Sequence, residues 1–309
     1  VGRGLLMVRP YASTEPLRPL GNASELKLSI SESKIEQKNY MTVGGGTRDV
    51  LSRVDSAELE VTLYDLSPLT LAMALRATRS EITPEMVTDE EITFATFDTF
   101  VDLANFASMG SIVVKSNDGA TTYTEGTDYD VTYKSVSALD GGAIGSTDTV
   151  KVSYIKLQEQ TVTATTGLME LENLPDAASM VVTNNDGSTV YTRGTDYHAD
   201  SAGLELIEGG AISNGASIKV HYAVLPSVQL EALTATGVEF YALFKGMNEA
   251  RTNAPMNIRI NRIKFSPTDG LDLISDEYGQ ITLKGSILAD TSRPVGQSQY
   301  FSATMATIQ

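Results

Sequence analysis

Residues 91–158 and 159–226 align on one another without a gap at an offset of 68 positions, and 25 of those 68 positions are identical. Agreement is densest in "NDGATTYTEGTDYD" (117–130) against "NDGSTVYTRGTDYH" (185–198), and it returns in "GGAI" at 141–144 and 209–212. A tandem duplication constrains a chain strongly, because each copy must be one supersecondary unit that buries its own apolar face. Asn117-Asp118-Gly119 supplies the positive φ of a tight hairpin, and Gly126 and Gly141-Gly142 supply further turns. "DTVKVSYIK" (148–156) then turns Val150, Val152 and Tyr154 to one face. Short strands at this turn spacing predict a small β-sandwich in each copy.

The flanks read differently. Residues 1–23 hold Pro10, Pro16 and Pro19 and predict an extended arm outside the core. "ELKLSIS" (25–31) and "AELEVTLYDL" (57–66) alternate as strands, whereas "MTVGGGTRDVLSR" (41–53) predicts a mobile glycine-rich loop. "SPLTLAMALRATR" (67–79) predicts a helix capped by Ser67, with Pro68 in its first turn and Arg76 and Arg79 at its C-terminal end. Its apolar residues surround it, so it needs cover on more than one side, which a second subunit could supply. Downstream, "GVEFYALFKG" (237–246), "MNIRINRIKFSP" (256–267) and "GQITLKGSIL" (279–288) are strands. The middle one changes parity between Ile260 and Ile263, which places a bulge near Asn261–Arg262. Neither flank alone has strands enough to close. Residues 1–90 and 227–309 therefore predict one discontinuous β domain, interrupted by inserted repeats at 91–158 and 159–226.

Charge and composition exclude several functions. The net charge is −16, and its excess lies in the middle: 6 Lys/Arg against 18 Asp/Glu over 91–226, a net of −12. No basic stripe exists to neutralise phosphates, which argues against a nucleic-acid-binding role. The chain has no Cys, so disulfides and thiolate metal sites are excluded. Leu5–Val8 is the longest apolar run near the start, too short for a signal core or a membrane span, so a soluble protein without a cleaved signal is expected. His198 and His221 correspond to Asp130 and Ser153 in the first copy and are expected to be surface or half-buried groups with no metal or acid–base role. Gly44–Gly46 are not followed by Gly-Lys-Ser/Thr and make no phosphate loop. Asp269, Asp272, Asp276 and Glu277 lack calcium-loop spacing. No catalytic, cofactor or metal residues are assigned, and an enzyme is not expected.

The order of elements resembles a known family. An extended arm, "GNASELKLSISESKIEQKNY", a glycine-rich loop, "SAELEVTLYDLSPLTLAMAL" and the terminal "IRINRIKFSPTDGLDLISDEYGQITLKGSILAD" are similar to the major tail tube protein of tailed bacteriophages. The inserted copies resemble the Ig-like β modules that decorate phage tail and fibre proteins. The resemblance implies a mainly β fold: a discontinuous β-sandwich or barrel with one flanking α-helix, plus two tandem small Ig-like sandwiches. It further implies a virion protein, made in the host cytoplasm, whose hexameric rings stack into a conduit for the genome. Tail tip and tape-measure proteins would be its partners, and DNA would pass without being held. Glu58, Glu60 and Glu239 are then candidates to line the lumen, and Gly44, Gly45, Gly46, Arg48 and Arg53 to form an inter-ring loop. The repeats would project outward and could make weak host-surface contacts multiplied by avidity. A contractile sheath would clash with them, so a non-contractile tail is expected. The alternative is an extracellular adhesin or fibre whose repeats bind glycans. That reading calls for a string of modules, not modules that interrupt a domain.

Overall fold

In the computed structural model, residues 2–307 are described, apart from 42, 252, 273, 275 and 277 and the side chain of residue 251. The fold is mainly β, with one α-helix and several antiparallel sheets among the described residues. The chain separates into two compact units, residues 1–80 with 229–309 and residues 81–228.

Both flanks build one sheet in the first unit. We label its strands β1 (Gly2–Pro10), β2 (Arg18–Pro19), β3 (Ala23–Lys38), β4 (Thr47–Leu63), β5 (Glu239–Asn248), β6 (Ala254–Phe265), β7 (Ile281–Ile287) and β8 (Phe301–Met305). Their order is β2-β1-β5-β6-β7-β4-β3, with β8 also paired to β6. Two antiparallel ladders join the flanks: β1 runs along β5 from Gly2↔Asn248 to Pro10↔Phe240, and β4 along β7 from Leu63↔Ile281 to Glu58↔Ser286. Alternate residues enter one core, among them Leu6 and Val8, Leu59, Val61 and Leu63, Ile260 and Ile263, and Ile281 and Leu283. The expected N-terminal arm is thus a core strand: Leu6 is 2% and Val8 1% exposed. Of the prolines that suggested an arm, Pro10 ends β1, Pro16 lies in the turn beyond and Pro19 ends the edge strand β2, all positions that tolerate a missing ladder donor.

β6 carries the expected bulge. Phe240 faces Ile263 but Ala242 faces Ile260, so Asn261 and Arg262 together oppose Tyr241. The extra residue restores Ile260 and Ile263 to the same core. There β6 also changes its second partner, from β8 (Met256–Ile260) to β7 (Ile263–Phe265). Gly285 of β7 makes room at this crossing, since a Cβ would stand 2.8 Å from the Ile263 side chain and 2.9 Å from the Phe265 ring.

The helix, α1, spans Pro68–Leu75. Ser67 and Thr70 form a reciprocal capping box, and Thr70 is fully buried beside Met73 and Ala74. The helix ends earlier than expected. Arg76 adopts a left-handed conformation (φ 48°), its N–H bonding back into the last turn, and Arg79 already lies in the strand Thr78–Ile82. That strand pairs with Ser227–Glu231, so the two crossings between the units run side by side.

The second unit holds both repeats, each made of two sheets around one core. In the first, Met86–Thr93, Thr149–Ile155 and Val113–Ser116 form one sheet, and Val101–Asp102, Ser135–Ala138 and Tyr129–Val131 the other. The second repeats this with Gln158–Thr163, Ser217–Tyr222, Val181–Asn184 and Val190–Tyr191 against Leu168–Glu170, Gly203–Leu206 and Tyr197–Ala199. The boundaries expected at 90/91 and 158/159 both fall inside strands. Met86–Thr93 pairs with Thr149–Ile155 and so belongs to the inserted unit, and Gln158 already pairs with Tyr222. Strand parity alone does not reveal which sheet a strand joins.

The repeated phrase is the staple of each sandwich. Asp128 accepts the N–H groups of Thr124 (2.8 Å) and Ala143 (2.8 Å), and Asp196 those of Thr192 (2.7 Å) and Ala211 (2.8 Å). "GTDY" therefore grips "GGAI" in both copies. Gly142 and Gly210 permit the approach, because a Cβ would lie 2.7 Å from the Asp128 Cα and 2.8 Å from the Asp196 Cα. The Tyr129 and Tyr197 rings fill the cores below. The backbone donors of Ala211 and Thr192 hold the Asp196 carboxyl below its ordinary value of 3.8. Stability from this clamp is complete above pH 3.8 and is lost as pH falls through the lowered native value. Asp128→Asn with Asp196→Asn should lower the melting midpoint of the inserted unit by several degrees at pH 7 and flatten its decline below about pH 4, measured by calorimetry across pH.

Candidate functional site

A long ribbon in the first unit carries a run of exposed apolar side chains. β3 and β4 stay paired from Ala23↔Leu63 to Lys38↔Thr47, but β4 leaves β7 after Glu58. From Ile30 and Ala57 outward the hairpin is therefore only two strands wide, for about 30 Å at ~3.3 Å per residue. Ile35 (69% exposed) lies opposite Leu51 (66% exposed) on one face, while Val50 and Val54 lie on the other, opposite Glu36 and Glu32. At the tip Tyr40 is 88% exposed and Met41 and Val43 are also open. Of the five residues expected in a mobile loop, only Gly44, Gly45 and Gly46 occupy the turn, with φ of 120°, 67° and 131°. Arg48 and Arg53 stand on β4 itself, because the β-branched and alternating run after Gly46 continues the strand. Thr42 lies outside the described residues.

The three carboxylates expected to line a lumen differ in their surroundings. Glu58 and Glu60 point away from the core residues Leu59 and Val61, and Glu60 sits between Lys27 and Lys284 in the ladder. Lys284 is itself paired to Asp269 at 2.8 Å. This face is mixed in charge and not acidic alone.

Glu239 is no free carboxylate. Arg262 grips it from two nitrogens, at 2.7 Å through Nε and 2.8 Å through Nη2, and this hydrogen bonding pushes the Glu239 carboxyl below its usual range. The bulge aims Arg262 at it. The guanidinium also lies 5.2 Å from the Tyr11 ring, whose hydroxyl donates to Asp290 (2.9 Å), which in turn accepts from Ser292. Asn261 fixes the same corner, donating from its backbone to Tyr300 O and from its amide to Ser298 O. The sequence marks the bulge but not this network, since Glu239, Arg262, Tyr11 and Asp290 are far apart along the chain.

Other candidates separate or resolve into structure. His198 is exposed, but His221 is 2% exposed, which corrects the expectation of a surface or half-buried group: an aromatic ring of the other repeat, Phe106, covers it at 3.8 Å between centroids. Asp272 and Asp276 are exposed, and Glu277 lies outside the described residues. Among the described residues, no group of three or more His, Asp or Glu is placed to hold a metal ion, and no helix is long and apolar enough to cross a membrane.

Over residues 1–167 and 158–304 the chain matches the family described as protein of unknown function UCP028589, and it belongs to that family. No curated protein matches its sequence.

Because the Glu239–Arg262 pair anchors the strand bulge on which β7 and β8 both dock, Arg262→Leu should lower the melting midpoint of the first unit by several degrees and leave that of the inserted unit unchanged. Two-transition calorimetry reads both.

Proposed function

We propose that this chain is the structural subunit of a bacteriophage tail tube. Copies assemble into stacked rings that form the conduit for genome delivery, and the two Ig-like repeats ride outside the wall of a long, non-contractile tail. The observation that carries this reading is the β3–β4 ribbon, with apolar side chains open on both faces. A two-stranded ribbon is marginal in water and gains stability from a third strand or a packed face. Ile35 and Leu51 on one side and Val50 and Val54 on the other call for cover from two directions. A second copy of the chain can provide it, since a head-to-tail contact repeats until a ring closes or a filament grows.

Other features support the same reading. The outward face bearing Glu58 and Glu60 interleaves acids with Lys27 and Lys284. Such a face, assigned to the bore, presents few unpaired cations and so avoids the counterion-release binding that would hold DNA in transit. Leu69, Leu71 and Leu75 of α1 are only half-buried within one chain, leaving apolar surface for a neighbour. In the virion the tube would meet tail tip and tape-measure proteins at its ends, and the repeats would touch host surfaces weakly and many at a time.

Negative-stain microscopy of the purified protein should show tubes or stacked rings with lateral knobs; monodisperse monomers that bind glycan arrays would favour the adhesin reading. Ile35→Asp with Leu51→Asp should abolish assembly while moving the melting midpoint of the monomer by no more than about 1–2 °C, because both side chains are exposed in it. Replacing residues 83–226 by a short Gly/Ser turn should leave assembly intact and remove the knobs.

A further inference from the structure

The outer face of the second repeat is covered where an isolated sandwich would be wet. In its strand Ser217–Tyr222, Ile218, Val220 and Tyr222 enter the repeat's own core, so Lys219 and His221 point away from it. In the neighbouring strand Val182 enters the core and Thr183 points away. Yet Thr183 is fully buried and His221 nearly so. What covers the imidazole is Phe106 of the first repeat, its ring stacked at 3.8 Å and 20°. Phe106 also lies parallel to Tyr133 at 6.0 Å and has the Lys134 ammonium 5.4 Å from its centroid. Its carbonyl accepts the N–H of Leu157 (2.8 Å), at the crossing from one repeat to the next.

Glu159 and Lys219 keep their counterparts Glu91 and Lys151, but five other residues of the contact differ between the copies. At the offset of 68, Phe106 corresponds to Leu174, Tyr133 to Ser201, Lys134 to Ala202, Thr183 to Lys115 and His221 to Ser153. At one end the first copy carries aromatic and cationic groups that the second lacks. On the face that receives them the second copy has Thr183 where the first has Lys115. Random drift on a solvated surface does not favour this matched pattern, because a buried Lys115-like ammonium at position 183 would be left without water.

We propose that Phe106 docks the first repeat onto the second as one fixed body, and that His221 beneath it is an acid-sensitive latch whose protonation releases the pair. The groups facing the imidazole are Glu159, 3.8 Å from Nδ1 and already paired to Lys219 at 2.9 Å; Thr183, 3.4 Å from Nε2; and Lys134 across the joint. The Glu85–Lys156 pair (3.0 Å) lines the same cavity of about 530 Å³. Burial pushes the docked imidazole down from 6.5 to about 4; Glu159 opposes the shift and Lys219 and Lys134 add to it. The sign follows. The docked state disfavours the proton, so docking is fully favoured above pH 6.5, weakens as pH falls below it, and reaches its floor below about pH 4. Between pH 7 and 4.5 the docking constant should fall roughly fiftyfold.

The chain has no cysteine, so labels can be placed cleanly. In the full chain, Ala120→Cys and Ser188→Cys put one nitroxide at the equivalent exposed turn of each repeat. Pulsed dipolar spectroscopy should give one narrow distance at pH 7 and a broad distribution at pH 4.5. Phe106→Ala should be broad at both, and His221→Gln narrow at both. A narrow Phe106→Ala distribution at pH 7 overturns the docking, as does a broad distribution in the otherwise unchanged chain. An unchanged distance at pH 4.5, or His221→Gln broadening in acid as much as the parent, overturns the latch.

Discussion

The hydrogen-bond ladder between β4 and β7 is the constraint from which the rest of the first unit follows. It binds residues 58–63 to residues 281–286 across more than two hundred intervening positions. Sheets leave no backbone donor idle at low cost, so neither flank can settle until the other arrives. The inserted residues must therefore leave and return without prising that ladder apart. They do so through the paired strands Thr78–Ile82 and Ser227–Glu231, which bring exit and entry side by side. Contacts this distant in sequence make loop closure a slow step, and two self-sufficient repeats can fold while it proceeds.

The corner at Asn261–Arg262 solves a second problem. One strand must serve β8 along its first half and β7 along its last, and a single extra residue lets it do both without turning Ile260 or Ile263 out of the core. A polar pair at such a corner has fixed geometry. Arg262 answers Glu239 from two nitrogens, where a lysine would offer one point charge.

Much of this was legible in the residues, for physical reasons. A duplication preserves register, so offsets of 68 carried every major strand and the 3-10 turn at Met109–Ser111 onto its partner at Ala177–Ser179. Ser67 and Pro68 marked the helix start because capping is local chemistry, and the parity break marked the bulge because side-chain alternation is too. What stayed hidden was non-local. "GLLMVRP" alternates Leu6 and Val8, but three prolines nearby outweighed a signal that only pairing with β5 makes decisive. The glycine tip masked the strand that resumes at Thr47. Glu239 reads as free until Arg262, across the sheet, claims it. His221 is buried by a side chain 115 positions earlier, and the trace of this in the sequence is that the copies disagree at contact positions such as Phe106/Leu174 and Ser153/His221.

One feature of the repeats reaches beyond their own packing. In each, the opening and closing strands are antiparallel neighbours, with Met86 beside Ile155 and Gln158 beside Tyr222, so each copy starts and finishes at the same end. Each copy therefore joins the rest of the chain through one end only. Copy number can therefore change without breaking the ladders that join the flanks: recombination between the identical "GTDY" segments adds or drops one whole 68-residue copy in frame.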